Sequence, residues 1–152
     1  MKNKKIIIAG GTGFIGQEMI KYFGKENSIV ILTRQLPDAR NNRNAYDSLT
    51  EKDLQHVRYI KWDGKTLDAW SKALDNADLL INLAGKTVNC RYTEKNKKEI
   101  LDSRVNAVKV LGEAIRQCTV APAVWINASS ATIYRHAMDH AQDEYSTEFH
   151  DG

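Results

Sequence analysis

Cysteine is scarce in this chain: Cys90 and Cys118 are its only two in 152 residues, and they lie far apart. That excludes a disulfide framework and a four-cysteine zinc site, leaves two packing thiols, and fits a reducing, cytoplasmic setting. Long hydrophobic runs are missing too. Nothing approaches the ~18 consecutive apolar residues of a membrane helix, and the apolar start is too short for a secretory signal. Neither sign of charge dominates. The formal net charge is +3 with Lys and Arg scattered along the chain, which leaves no footprint for nucleic acid. Several catalytic signatures are also absent, among them Gly-x-Ser-x-Gly, His-Glu-x-x-His and Cys-x-x-Cys. His136, His140 and His150 share a polar C-terminal stretch with Asp139, Asp143 and Glu144, but without metal-ligand spacing, so no metal site is expected.

What is present is an alternation of apolar runs and helical patterns. "KIIIA", "SIVILT", "VRYIKW", "DLLINLA" and "AVWINAS" read as five strands, the first of the β-branched kind buried in parallel sheets. Between the first two, Phe14, Ile15, Met19, Ile20 and Phe23 fall on one helical face, with Gly24 as a stop. Leu67, Trp70 and Leu74 mark a short amphipathic helix. From about Thr93 to Cys118, Leu101, Val105, Val108, Leu111 and Ile115 mark a long one, which Pro122 prevents from continuing. The Asn-, Asp- and Arg-rich stretch from Arg34 to about Asp53 reads as loop. Strands alternating with helices predict an α/β fold, a doubly wound parallel sheet between two helical layers. The whole chain, 1–152, forms one such domain. Its irregular polar end predicts that it is the N-terminal part of a longer protein.

Between the first strand and the first helix stands "AGGTGFIG". Gly11, Gly13 and Gly16 spell G-x-G-x-x-G, and Gly10, Gly13 and Gly16 spell G-x-x-G-x-x-G. One glycine permits a conformation a Cβ forbids, another brings backbone N–H groups close to a pyrophosphate, and the last seats the helix on the strand. The helix N-terminus adds unpaired N–H donors and about half a positive charge. The turn ends in Gly16-Gln17, not the Gly-Lys-Ser/Thr of a P-loop, so a dinucleotide is the expected ligand. Thr12, Phe14 and Ile15 belong to the same cradle. An acidic residue ending the second strand would select NAD through the ribose 2′-hydroxyl. Here Thr33 and Arg34 stand there instead, a hydroxyl donor and a partner for a phosphate dianion, which favours NADP over NAD.

Together "GGTGFIG", "WDG", "INLAG" and "NASSATIY" resemble the extended short-chain dehydrogenase/reductases, also called NAD-dependent epimerase/dehydratases, of the Rossmann fold. The longer block "NLAGKTVNCRYTEKNKKEILDSRV" resembles a narrower epimerase-like branch. The resemblance implies a role in an epimerase or reductase acting on a nucleotide sugar or similar small hydroxyl-bearing substrate, as a possible homodimer. It implies that Asp63 contacts adenine, although a turn-forming role in "WDG" is equally open. Leu83, Ala84 and Gly85 would lie against the nicotinamide-side ribose. Ser130 matches the catalytic serine, which hydrogen-bonds the substrate oxygen. Arg104 stands where many relatives carry Asn, with a backbone carbonyl, a phosphate or a surface acid as its possible partner. The family's catalytic Tyr-x-x-x-Lys is missing. Four positions after Tyr22, Tyr46, Tyr59, Tyr92, Tyr134 and Tyr145 stand Glu26, Thr50, Asp63, Asn96, Met138 and Phe149. The resemblance puts that pair beyond Gly152, so these residues lack it whether or not the full protein has it; a non-catalytic NADP-binding sensor stands as the alternative to an enzyme.

Overall fold

In the computed structural model, residues 1–37, 49–130 and 134–146 are described. Most of the expected Arg34–Asp53 loop, together with His150, lies outside them. The five expected strands form one all-parallel sheet: β1 (Lys5–Ala9), β2 (Ser28–Thr33), β3 (Val57–Lys61), β4 (Leu79–Asn82) and β5 (Val124–Asn127), in the order β3-β2-β1-β4-β5. The chain therefore starts at the centre and winds outward twice. That order makes β1 and β4 neighbours although they are far apart in sequence, with Ile7 opposite Leu80 and Ala9 opposite Asn82.

Side chains alternate across the sheet. Ile7, Ala9, Val30, Leu32 and Leu80 face one layer, where they meet Trp70 and Leu74 of a 3-10 helix (Ala69–Leu74) and the long helix described below. Ile6, Ile8, Ile29, Ile31, Leu79 and Ile81 face the other layer, where they meet Ile20 of α1 (Phe14–Phe23). Both faces being covered explains why "III" and "IVIL" are continuous apolar runs. At the N-terminal edge of the sheet, the Asp78 carboxylate accepts from Lys5 N and from Lys4 Nζ, both at 2.8 Å. The strand ends carrying the glycine turn lie at the opposite edge.

Three expectations need correction. Of the five expected residues on α1 only Ile20 is fully buried, with Met19 and Phe23 partly so, whereas Phe14 and Ile15 are 81% and 57% exposed. The first turn of α1 projects past the sheet, and Gly16 makes its close contact. Part of the expected loop is helical: α2 (Glu51–Leu54) starts at a capping box in which Asp53 N donates to Thr50 Oγ1 and Thr50 N to the Asp53 carboxylate.

The third correction concerns α3 (Glu94–Arg116), whose buried residues are Ala107, Val110, Leu111 and Ala114. Leu101 is 62% exposed, Val105 is exposed too, and Val108 and Ile115 are only partly buried. Length explains the difference. The 23 residues of α3 span about 34 Å at 1.5 Å each, whereas a strand of four or five residues covers about 13–17 Å. Only the second half of α3 can lie on the sheet, where alanines let it approach closely. The first half overhangs the carboxyl ends of the strands. Thr93 caps it, its side chain accepting from Asn96 N at 3.2 Å.

Beyond β4, β5 is an edge strand whose residues are all exposed. Both cysteines are free, and burial pushes the Cys118 thiol up. No described helix is long and apolar enough to cross a membrane, and the described residues hold no group of three or more potential metal ligands.

Candidate functional site

The carboxyl ends of β1 to β4 and the overhanging half of α3 enclose a cleft of about 730 Å³. Each wall is set by local chemistry. On the β1 side, Gly10 has φ +76°, and a Cβ there would lie 2.9 Å from both N and Cα of Ala84. The turn after β1 therefore passes directly against the end of β4. A Cβ on Gly16 would stand 2.2 Å from the Gly11 carbonyl oxygen, so α1 can rest on the turn only without one.

Gly13 differs. It is the N-cap of α1 with φ −78° and ψ 175°, and its nearest neighbour to a built Cβ is Gly10 O at 3.8 Å. The fold needs no glycine there, yet Gly13 lines the cleft in front of the N–H groups that open α1. A methyl group would enter space the protein leaves clear, which is the fit expected of a cradle for a phosphate-bearing ligand.

On the β2 side, Thr33, Arg34 and Gln35 line the cleft. Thr33 is buried, and its hydroxyl donates to Gln35 O at 3.0 Å while accepting from Gln35 N at 3.4 Å. Its proton is therefore committed to a local turn. Arg34 is exposed and makes no hydrogen bond or ion pair with its side chain among the described residues. The β3 wall is Trp62, Asp63, Gly64 and Lys65. Trp62 is buried edge-on against Trp70, centroids 5.3 Å apart. Asp63 Oδ1 accepts from Thr66 N and Lys65 N, each at 2.8 Å, around Gly64 at φ +75°. Those N–H groups hold its carboxyl below the usual carboxylate range, that of Thr66 first. Asp63 is thus a turn-former and a lining residue at once.

The β4 side is the most heavily fastened. Buried Asn82 donates through Nδ2 to Asn127 Oδ1 at 2.7 Å and accepts from Ala84 N at 3.0 Å, tying β4 to β5 and to its own following loop. Leu83, Ala84 and Gly85 line the cleft beside Ser103 and Ala107 of α3. Ser103 Oγ accepts from Lys86 N at 2.8 Å and donates to Ile100 O at 2.9 Å. Lys86 Nζ reaches Asn96 Oδ1 at 2.8 Å and the Glu99 carboxylate. That ammonium, by hydrogen bond and charge, holds the Glu99 carboxyl down. Arg104 has a backbone partner: its Nη1 donates to Ile100 O at 3.1 Å and Lys86 O at 3.3 Å, with its side chain across Gly85. Gly85-Lys86-Thr87 spells the end of a P-loop, but Leu80 stands where such a loop needs its first glycine, and the Lys86 ammonium is already paired.

Of the residues singled out in the sequence, the cleft gathers Gly10, Thr12, Gly13, Thr33, Arg34, Asp63, Leu83, Ala84 and Gly85. Phe14, Ile15 and Gly16 are in the first turn of α1 and do not line it, and exposed Ser130 lies beyond β5, also outside the lining. Sequence reasoning missed Trp62, Lys65 and Ser103. The first two follow a strand end, where ligands of parallel sheets gather. Ser103 and Ala107 share a helical face, a signal obscured by the larger apolar residues around them.

Residues 6–151 match the NAD dependent epimerase/dehydratase family. The chain belongs to this family. An epimerase family protein of Staphylococcus haemolyticus (SH2119) is 30% identical over 142 residues, covering 93% of this chain and 42% of that protein. The chain thus spans less than half the length of this relative. Among solved structures, UDP-N-acetylglucosamine 4-epimerase from Methanobrevibacter ruminantium, in complex with UDP-N-acetylmuramic acid, superposes with TM-score 0.75 at 19% identity. That match covers 98% of this chain and 44% of the other. Human epimerase family protein SDR39U1, solved with NADPH, gives TM-score 0.67 at 23% identity, covering 93% and 42%. The structural likenesses establish the α/β Rossmann architecture. The family takes its name from NAD, and one structural neighbour holds NADPH.

Proposed function

We propose that this chain is the NADP-binding part of an epimerase- or reductase-type enzyme acting on a nucleotide sugar or a related hydroxyl-bearing substrate. The observation that carries the dinucleotide reading is Gly13: every backbone demand of the fold is met without it, and the space before it faces the helix N-terminus. In this reading Gly10, Thr12, Gly13 and the first turn of α1, with Phe14, Ile15 and Gly16, hold the pyrophosphate through backbone N–H groups. Arg34 pairs with the 2′-phosphate, and Asp63 faces adenine. Leu83, Ala84 and Gly85 support the nicotinamide-side ribose. A bound nicotinamide supplies hydride exchange with a substrate carbon. Ser130 hydrogen-bonds the substrate oxygen, and the acid/base comes from outside these 152 residues, because no tyrosine here has lysine four positions on.

Calorimetric titration of this chain with NADPH and NADH tests the reading. NADPH binds more tightly; equal or reversed affinities would remove the NADP assignment, and absence of binding by either would remove the cradle. A second reading is an NADP-binding module without catalysis, and the residues that follow Gly152 in a longer form of the protein discriminate the two, a Tyr-x-x-x-Lys there favouring the enzyme. The second reading predicts the same titration, with no NADPH oxidation or sugar conversion when uridine-diphosphate sugars are added to a longer form of the protein.

A further inference from the structure

The cleft holds a cation that the NADP reading leaves without a role. Its lining contains three charged residues, Arg34, Asp63 and Lys65. The carboxylate of Asp63 is engaged by Lys65 N and Thr66 N, and the positive φ of Gly64 closes that turn. Lys65 is exposed, and its ammonium has no ion pair or hydrogen bond among the described residues, as is true of the Arg34 guanidinium. The two cations share one corner of the sheet. β2 and β3 are paired in register to their ends, Thr33 opposite Lys61, and Trp62 N continues the ladder by donating to Thr33 O at 3.0 Å. Arg34 leaves this corner one residue after β2, and Lys65 leaves it four residues after β3.

Two cations lining one cleft, beside an Asp63 carboxylate already occupied and with Glu99, the other acid that feels the Lys65 charge, engaged by Lys86, suit a doubly charged anion. We propose that Lys65 and Arg34 together clamp the 2′-phosphate of NADP, and that Lys65 is a specificity-determining residue of this cleft. The proposal rests on the dinucleotide reading above. A phosphate monoester carries about −1.5 to −2 at neutral pH, more than one guanidinium balances. Arg34 gives directional, paired hydrogen bonds, while Lys65 on its flexible stem adds a mobile point charge. By taking two N–H donors, Asp63 spends its charge on its own turn, which limits repulsion of the incoming phosphate.

The test titrates wild type, Lys65→Ala, Lys65→Arg, Arg34→Ala and the double alanine variant with NADPH, NADH, 2′,5′-ADP and 5′-AMP. Thermal melts check each fold, which an exposed side chain should leave unchanged. Lys65→Ala is expected to weaken NADPH and 2′,5′-ADP about three- to fivefold and NADH and 5′-AMP less than about 1.5-fold. Lys65→Arg retains the discrimination, and the double variant abolishes it. If Lys65→Ala changes the 2′-phosphorylated and plain ligands by the same factor, or changes neither, the clamp is wrong while the cradle stands. If wild type binds none of the four, both readings fall.

Discussion

Two glycines three residues apart in one motif should respond oppositely to the same added methyl group. In Gly16→Ala, Cβ would sit 2.2 Å from the Gly11 carbonyl oxygen and 2.4 Å from Gly11 Cα, where ordinary contact begins near 3.4 Å. The missing 3.4 − 2.2 = 1.2 Å must come from backbone, because the obstacle is not a flexible side chain. Overpacking usually costs about 1–3 kcal/mol, and backbone against backbone belongs at the upper end, about 3 kcal/mol. In a domain of this size that lowers the melting temperature by about 6–12 °C. In Gly13→Ala the nearest atom is 3.8 Å away and φ is −78°, so no strain arises. Alanine is a poorer N-cap than glycine by several tenths of a kcal/mol, roughly offset by about 0.4–1 kcal/mol gained from a stiffer unfolded chain. The melting temperature should stay within about 2 °C of wild type. Binding reverses the order: the Gly13→Ala methyl group excludes the pyrophosphate from about two charge-assisted hydrogen bonds, weakening NADPH about 100-fold. Circular-dichroism melts and calorimetry on the two variants decide the matter. A Gly13→Ala protein that melts as low as Gly16→Ala, or binds NADPH like wild type, would refute the reasoning.

Two further outcomes follow from the hydrogen bonds. Ser103→Ala removes the partner of Lys86 N, a net loss of about 1 kcal/mol, and should lower the melting temperature by about 2–4 °C. Amide exchange should accelerate at Lys86 and leave the β1 amides unchanged; uniform acceleration would show that the bond is not local. Asp63 supplies a pH dependence. Its folded carboxyl is depressed, so its contribution is fully present above the unfolded value near 3.9 and is lost as pH falls through the lower folded value. Asp63→Asn should therefore flatten acid destabilisation below about pH 4. Asp53, held down chiefly by the Thr50 hydroxyl, and Asp78, held down chiefly by Lys4, keep part of it. An unchanged acid limb between pH 4 and 2 would show that the turn survives protonation.

The fold was legible because its central strands, β1, β2 and β4, are buried on both faces. "KIIIA" and "SIVILT" need no periodicity analysis, and the glycine turn between a strand and a helix locates the opening of the cleft. What escaped is governed by lengths and distances that a linear pattern does not carry. Leu101 and Val105 keep helical spacing with Leu111, yet they lie on the part of α3 that outruns the sheet. Phe14 and Ile15 keep it with Ile20 and also project past the strands. The alanines that seat α3, Ala107 and Ala114, carry no apolar signal of their own in a pattern of large side chains, yet close helix–sheet approach uses small ones. Arg104 could not be assigned from sequence, because its partners are backbone carbonyls, one of them 18 positions away.

The same overhang gives physical meaning to the block from Asn82 to Val105, whose resemblance to an epimerase-like branch is the most specific in the chain. Its polar residues are largely engaged with one another. Asn82 holds Ala84 N, Ser103 holds Lys86 N, Asn96 and Glu99 hold the Lys86 ammonium, and Arg104 holds Lys86 O. Asn96 also donates to Arg91 O at 2.7 Å, closing the loop at its far end. Lys86 is contacted through its N–H, its carbonyl and its side chain, all by α3. A loop fastened this way holds Leu83–Gly85 as a fixed wall of the cleft, and its donors have little capacity left for a substrate. The block therefore reads as the means by which an overhanging helix and a strand end are kept in register. Among the charged residues that line the cleft, the side chains of Arg34 and Lys65 make no hydrogen bond or ion pair with the described residues, which is where the proposed recognition of the phosphate is placed.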